Sequence, residues 1–333
     1  MSTWALRAAM VPVWRRVRAY FAPVDRDTGT PAIFDPGKHG AFFLENPPVP
    51  WLSLGAIVNF RRSSGTEIGV LRAGIHGAPV SQYRAGLDAR VEFEFCEWGK
   101  LQMALAGGSD HMNVLAPDPS ADAAPSGGTP IPAVPSLPGS TAIEIVVGVG
   151  VVDGFAVGEL VAVDKDYQQE MGYVGTGIAA AYVGDPAKVN HDADYIRRIT
   201  FNVGRVAQKT VNSLMLAQPL LGGPPLAGAG VQGVVSFVDR EGGSFFQEWS
   251  ALFVVEEESG GRACFYYPRL TSSAAQAGGG DGSASEGSAE IASSLSSLTL
   301  RASFLALPYV DGNDSQTVMC YRSYFPAASA AVY

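Results

Sequence analysis

A mainly β fold with one or two short helices is the class this sequence predicts, and three observations carry it. The chain holds 39 glycines and 22 prolines against 23 Lys+Arg and 32 Asp+Glu, the composition of many short elements joined by turns. Runs of β-branched and aromatic residues alternate with polar ones at the two-residue period of a strand, most clearly over residues 91–96. A hydrophobic content of 47% in 333 residues is ample for a packed core.

Residues 1–20 mix Trp4, Leu6, Met10 and Val11 with Arg7, Arg15, Arg16 and Arg18, which predicts a short basic helix or an arm. No uninterrupted apolar stretch with a small-residue cleavage site is present there, so no secretory signal is expected. Residues 23–50 are punctuated by Pro31, Pro36, Pro47, Pro48 and Pro50. That excludes a regular helix and predicts an extended segment lying over something else. Residues 1–50 are therefore expected as an N-terminal arm, and residues 51–333 as one β domain.

Within that domain, residues 54–60 and 66–72 flank the polar stretch 61–65 and read as a hairpin with an exposed tip. In the next segment Val91, Phe93 and Phe95 share one face of a strand and Glu92 and Glu94 the other. Residues 99–108 carry Leu101 and Leu105 at helical spacing, with Gly107 and Gly108 as a stop signal. Residues 117–138 form a Pro/Ala/Ser/Gly tract too poor in large side chains to order itself, expected as a surface loop or linker.

Strand patterns resume at 141–152 and 157–163, followed by a glycine-rich aromatic stretch at 173–183 and strands at 195–203 and 211–216. Residues 231–268 read as a meander, with turns at 240–243 and 258–261. A second low-complexity tract of Ser, Ala and Gly spans 271–290, and strands at 298–307 and 317–325 close the chain. There is no convincing internal repeat.

The net charge of -9 argues against a grip on nucleic acid, because phosphate affinity comes mainly from Lys and Arg. Cys96, Cys264 and Cys320 are odd in number and far apart, so small buried hydrophobes in a reducing compartment are expected. The most apolar stretch, 143–163, contains Glu144, Asp153 and Glu159, which speaks against a membrane span.

Several motifs suggest chemistry and fail on context. Gly228, Gly230 and Gly233 spell GxGxxG, and Gly148, Gly150 and Gly154 come close to it. A dinucleotide fingerprint must open a helix, and residues 234–238 are strand-like. His191 has Asp185, Asp192 and Asp194 near it in sequence but no second His or Cys at metal spacing, so a solvated loop is expected. Ser109, Asp110 and His111 are adjacent, an arrangement triads seldom use, and no GxSxG elbow occurs. Asp311, Asn313 and Asp314 lack the Gly and Glu of a calcium loop, and a β-turn accounts for them. Trp249, Tyr266 and Tyr267 would serve a carbohydrate-binding module if exposed, but their place inside β runs predicts core packing. No catalytic residue, cofactor site or metal site is expected, and the chain reads as a non-enzyme.

The strand and short helix at 87–105, then "VDKDYQQEMGYVGTG", "ADYIRRITFNVGRV", "LMLAQPLLGGPP", "DREGGSFFQEWSALFVVEE", "FYYPRL" and "LTLRASFLALPY", resemble the tail tube (major tail) proteins of tailed bacteriophages and prophages. The resemblance implies a β-sandwich or barrel-like subunit with a flanking helix, in hexameric rings that stack into a hollow tube for genome passage. It implies partners among sheath, tail terminator, tape measure and baseplate proteins, DNA passing without specific binding, and a place in the virion after assembly in the host cytoplasm. Long loops and the N-terminal arm would bridge subunits. The tracts 117–138 and 271–290 depart from a minimal tube subunit. The inner tube or baseplate ring of a contractile injection system is the alternative on the same fold. On this reading Glu92 and Glu94 are candidate lumen-facing residues of a negatively charged bore.

Overall fold

The computed structural model of the chain describes residues 14–24, 28–45, 47–48, 50–73, 77–97, 99–108, 110–120, 131–164, 181–182, 202–220, 223–240, 248–258, 260–273, 289–290 and 299–326. The chain is mainly β, as predicted. Its strands run β1 (Trp14–Pro23), β2 (Leu52–Ala73), β3 (Ala78–Phe95), β4 (Asp110–Leu115), β5 (Val134–Pro135), β6 (Glu144–Val146), β7 (Leu160–Asp164), β8 (Ala181–Tyr182) and β9 (Val203–Lys209). They continue with β10 (Ser213–Leu216), β11 (Gly230–Arg240), β12 (Glu248–Glu257), β13 (Arg262–Ser272), β14 (Ala289–Glu290), β15 (Thr299–Ala306), β16 (Tyr309–Val310), β17 (Thr317–Val318) and β18 (Tyr321–Phe325). One α-helix, α1 (Lys100–Gly107), and two 3-10 turns, Pro36–Ala41 and Val151–Gly154, accompany them.

Two large sheets share a core. The first has the order β14-β15-β3-β2-β1-β12-β13-β18, the second β6-β10-β9-β7-β11-β4-β8, with β5 beside β11. Facing side chains of the first sheet, among them Phe21, Phe93, Phe95, Phe253, Tyr267 and Phe304, pack with Leu115, Ala162 and Val234 of the second. Phe21, like Phe93 and Phe253, packs against several rings, with ring centroids 5.3 Å from Phe304, 5.9 Å from Phe253, 6.2 Å from Trp249 and 6.3 Å from Phe93. Each such ring pair adds about 0.5–1.5 kcal/mol beyond area burial. Helix α1 buries Leu101, Leu105 and Ala106 in the same core and lies against β13 and β15 of one sheet and β4 and β11 of the other. Gly108 (φ 59°) takes the left-handed conformation that ends the helix.

Both sheets are also covered on their outer faces. Across β1 the alternation is complete: Ala19 and Phe21 enter the shared core, while Tyr20 and Ala22 point outward. Under residues 32–51, Phe34, Phe42 and Trp51 pack on Tyr20, Leu252, Val254, Cys264 and Tyr266. Ser250 ties this strap down, its Oγ accepting from Ala32 N at 2.9 Å and donating to Pro268 O at 2.8 Å. Over the second sheet, Val161, Val163, Val206, Leu214 and Val231 pack with Ile145 of β6 and with Val152 and Phe155 from the segment between β6 and β7. The result is strap, sheet, sheet and loop layer.

Four expectations change. Residues 1–50 are not wholly an arm: β1 lies inside the first sheet between β2 and β12, its run Ala19–Ala22 buried on both faces although the arginines before it suggest a basic helix. Residues 61–65 are not a turn but the middle of the 22-residue strand β2. The tract 117–138 is not all surface loop, since β5 pairs with β11 and Ser136 is buried, its Oγ donating to Leu226 O at 3.0 Å. The meander expected over 231–268 is not one, since β11 lies in the second sheet and only β12 and β13 pair with each other in the first. The strap over the sheet, the helix and the β12–β13 hairpin match the reading from sequence. The stretch 173–183 lies outside the described residues except for β8, as does 195–201 of the strand predicted at 195–203.

Candidate functional site

Among the described residues, the far end of the β2–β3 hairpin is a long element left largely uncovered. Antiparallel pairing runs from Ile57↔Phe95 to Ala73↔Ala78. Near its base Arg62 donates from Nε to the Tyr267 hydroxyl at 3.1 Å, and its guanidinium sits 5.0 Å from the Phe265 ring centroid. From Ser63 onward β2 is exposed at every position but Gly69, which is half-buried. Eleven residues of strand, 63–73, reach about 35 Å at the strand rise.

This arm carries Ile68 at 58% exposure, Val70 at 39%, Leu71 at 59%, Val80 at 68% and Tyr83 at 55%. Together they offer on the order of 500 Å² of apolar surface, within the range of a functional patch and over half of what one partner buries in a standard interface. The Tyr83 ring lies across Gly69, where an added Cβ would come within 2.3 Å of it. The sequence reading took 61–65 as the hairpin tip and left 78–86 unassigned. Residues 80–84, Val-Ser-Gln-Tyr-Arg, carry no period-two contrast that would have marked a strand, and Pro79 and Gly86 flank them.

Val91, Phe93 and Phe95 are buried together, and Glu92 and Glu94 lie on the opposite face as predicted. That face is not acidic, however. Glu94 is only 8% exposed; it accepts from Asn59 Nδ2 at 2.9 Å and pairs with Arg301 Nη2 at 3.1 Å. Arg61 stands opposite Glu92, and Arg90 lies 3.7 Å from Asp88. Three arginines thus balance three carboxylates: Arg90 is part of β3 itself, and the neighbouring strands supply Arg61 and Arg301, which alternation within β3 cannot reveal.

The remaining candidates place as follows. A cavity of about 10 Å³ beneath the strap, lined by Phe34, Phe42 and Cys264, has room for at most one water. A polar groove of about 350 Å³ joins Arg16, Arg18 and Arg262 to Glu256, Glu257 and Glu258, and its opposite charges offset one another. Arg18 there pairs with Glu45 at 2.5 Å and Glu256 at 3.6 Å. The hydrogen bond from Arg18 holds the Glu45 carboxyl below its ordinary range. Gly230 and Gly233 lie inside strand β11, not at the start of a helix. Trp249, Tyr266 and Tyr267 are 5%, 3% and 0% exposed, so they pack in the core as expected.

Asp311 accepts from Asn313 N at 2.9 Å within a turn and from the Tyr321 hydroxyl, which together hold its carboxyl below the usual range. His191, Asp185, Asp192, Asp194 and Ser109 lie outside the described residues. Among the described residues no group of three or more His, Cys, Asp or Glu is placed to hold a metal ion, and no helix is long and apolar enough to cross a membrane. Cys264 is buried, Cys96 exposed and Cys320 half-buried, all as free thiols. Comparison with protein-family models and with curated proteins finds no match.

Proposed function

We propose that the chain is a self-assembling structural subunit, a tail tube protein whose hexameric rings stack into the hollow conduit of a phage tail. The projecting β2–β3 arm carries this reading. A two-stranded ribbon is marginally stable alone in water, and this one extends exposed aliphatic and aromatic side chains away from the core that could have buried them. Another protein surface supplies the missing cover, and copies of the same chain are the partner always at hand. The resemblance of the sequence segments adds the choice of tube over other assemblies. On this reading the protein acts in the virion tail, DNA passes without specific binding, and Glu92, the more exposed of the two carboxylates, is the residue to test for a place on the bore.

A contractile injection system tube or baseplate ring would use the same subunit design. A carbohydrate-binding module has less support, because Trp249, Tyr266 and Tyr267 are buried. Size-exclusion chromatography with light scattering, followed by negative-stain microscopy of the purified chain, tests the proposal. Rings or tubes are expected. A monomer at all concentrations up to the millimolar range would overturn it.

A further inference from the structure

We infer that the arm is gripped on both faces, each by a different neighbouring copy of the chain; the inference rests on the assembly reading above. Register fixes the faces. Ile68, Gly69, Val70 and Leu71 pair in unbroken order with Arg84, Tyr83, Gln82 and Ser81. Residues directly opposite share a face, so Ile68, Val70 and Gln82 lie on one, and Leu71, Ser81 and Tyr83 on the other.

A ribbon that docks by one face alternates apolar with polar, leaving its solvent side hydrophilic. Here each face carries two large exposed apolar side chains within four residue pairs, so docking by either face alone would leave the other greasy and open. The surfaces also differ in shape. Ile68 and Val70 form an aliphatic ridge, whereas the Tyr83 ring fills the space above Gly69 and makes a flat aromatic surface beside Leu71. Two unlike surfaces call for two unlike receptors, which makes the contacts heterologous; pairing of arm with arm would satisfy one face and leave the other bare. Among the described residues β2 and β3 make their main contacts with each other, β1 and β15, and those lie at the base. Each face carries on the order of 200–300 Å² of apolar surface, so only the two together reach the size of a large exposed patch, and covering one leaves about half of it in water.

Single substitutions test this: Ile68→Lys on one face and Leu71→Lys on the other, with assembly followed by light scattering and the fold by thermal unfolding. Both variants should keep the wild-type unfolding temperature and lose the assembled species. In parallel, a photo-reactive amino acid at Val70 and another at Tyr83 in assembled protein should cross-link to two non-overlapping sets of peptides, a readout that stands even where a Lys variant misfolds. If wild type assembles and either Lys variant assembles equally well, or both cross-linkers capture the same surface, the two-faced grip is wrong while the assembly reading stands. If wild type never assembles, both fall.

Discussion

Asn59 donates from Nδ2 to Oε2 of Glu94 at 2.9 Å, and Asn59 is itself a left-handed residue (φ 54°) at the bulge in β2 shortly before that strand leaves the core. One residue therefore sets both the backbone path toward the arm and the partner of a buried carboxylate. Asn tolerates the left-handed region better than any branched residue. Asn59→Gly should keep the backbone and lose the hydrogen bond, costing about 1 kcal/mol. Asn59→Val should lose both and cost about 2–4 kcal/mol. Urea unfolding ranks them, and equal midpoints would show that the bulge conformation is not what Asn59 supplies.

The same pair bears on any test of the bore. Glu94→Lys would set a cation beside Arg301 in a site that is 8% exposed, so it should destabilise the subunit by about 3–5 kcal/mol and say nothing about DNA. Glu92 is half-buried and opposite Arg61, which makes Glu92→Gln the clean variant. Its unfolding midpoint should stay within about 0.5 kcal/mol of wild type.

Alkaline titration should unfold the protein through Tyr20 and Cys264 beneath the strap and Tyr267 in the shared core. Burial pushes the Cys264 thiol from 9.0 up to about 12, and the Tyr20 and Tyr267 hydroxyls from 10.0 up to about 12. The folded state holds these protons where the unfolded chain releases them. Stability is therefore complete below pH 9 and falls as pH rises toward 12, by at most about 1.4 kcal/mol per pH unit per group. Cys264→Ala should make the decline between pH 9 and 10 shallower, where the thiols of the unfolded chain ionise ahead of the tyrosines, the remainder coming from Cys320 and Cys96, which burial also raises. A decline of unchanged slope in that interval would remove Cys264 from the account. At pH 8 a maleimide should modify exposed Cys96 well before Cys264.

Much of this fold was legible because burial on one face leaves a period. Val91, Phe93 and Phe95 announced a strand, Leu101 and Leu105 a helix, and Gly260 with its neighbours a hairpin. The failures have a common cause: elements whose faces are both buried or both exposed carry no simple polarity contrast. Strand β1 is covered on one side by the strap and on the other by the second sheet, so Ala19, Tyr20, Phe21 and Ala22 form a continuous apolar run behind a basic stretch. Conversely, Arg61 to Gly65 looks like a turn because a projecting ribbon tolerates polar residues on both faces. The charge balance around Glu92 and Glu94 was hidden for a third reason, since Arg301 is 207 positions from Glu94 in the chain. Only the pairing of β3 with β15 brings them together.

The rings around Phe21 give a direct measure of the packing on the inner face of the first sheet. Phe21→Ala removes a ring in contact with four others and leaves a cavity between β1, β3, β12 and β15. A loss of about 3–5 kcal/mol is expected. Phe34→Ala, under the strap, should cost less, because the strap can settle over the gap more readily than two paired sheets can close. Chemical unfolding of the two variants under one condition checks the order, and the reverse order would place the main core at the strap.

Gly233 shows what the apparent dinucleotide fingerprint is for. It is buried in β11, with its carbonyl accepting from Ala116 N at 2.8 Å. A Cβ there would meet Glu159 Oε1 at 2.3 Å and Ala116 Cβ at 3.2 Å. Glu159 is not free to swing aside without loss, because its other oxygen accepts from Ala156 N at 2.8 Å. The glycine thus permits a close approach between strand and loop, a use of glycine that has nothing to do with phosphates. Gly233→Ala should cost about 1–3 kcal/mol by overpacking. In a Glu159→Ala background the same change should cost less by about 0.5–2 kcal/mol, since the first obstacle is gone and only Ala116 remains. A double-mutant cycle in urea supplies the coupling. Additive costs would mean that Glu159 is not what excludes a side chain at this position.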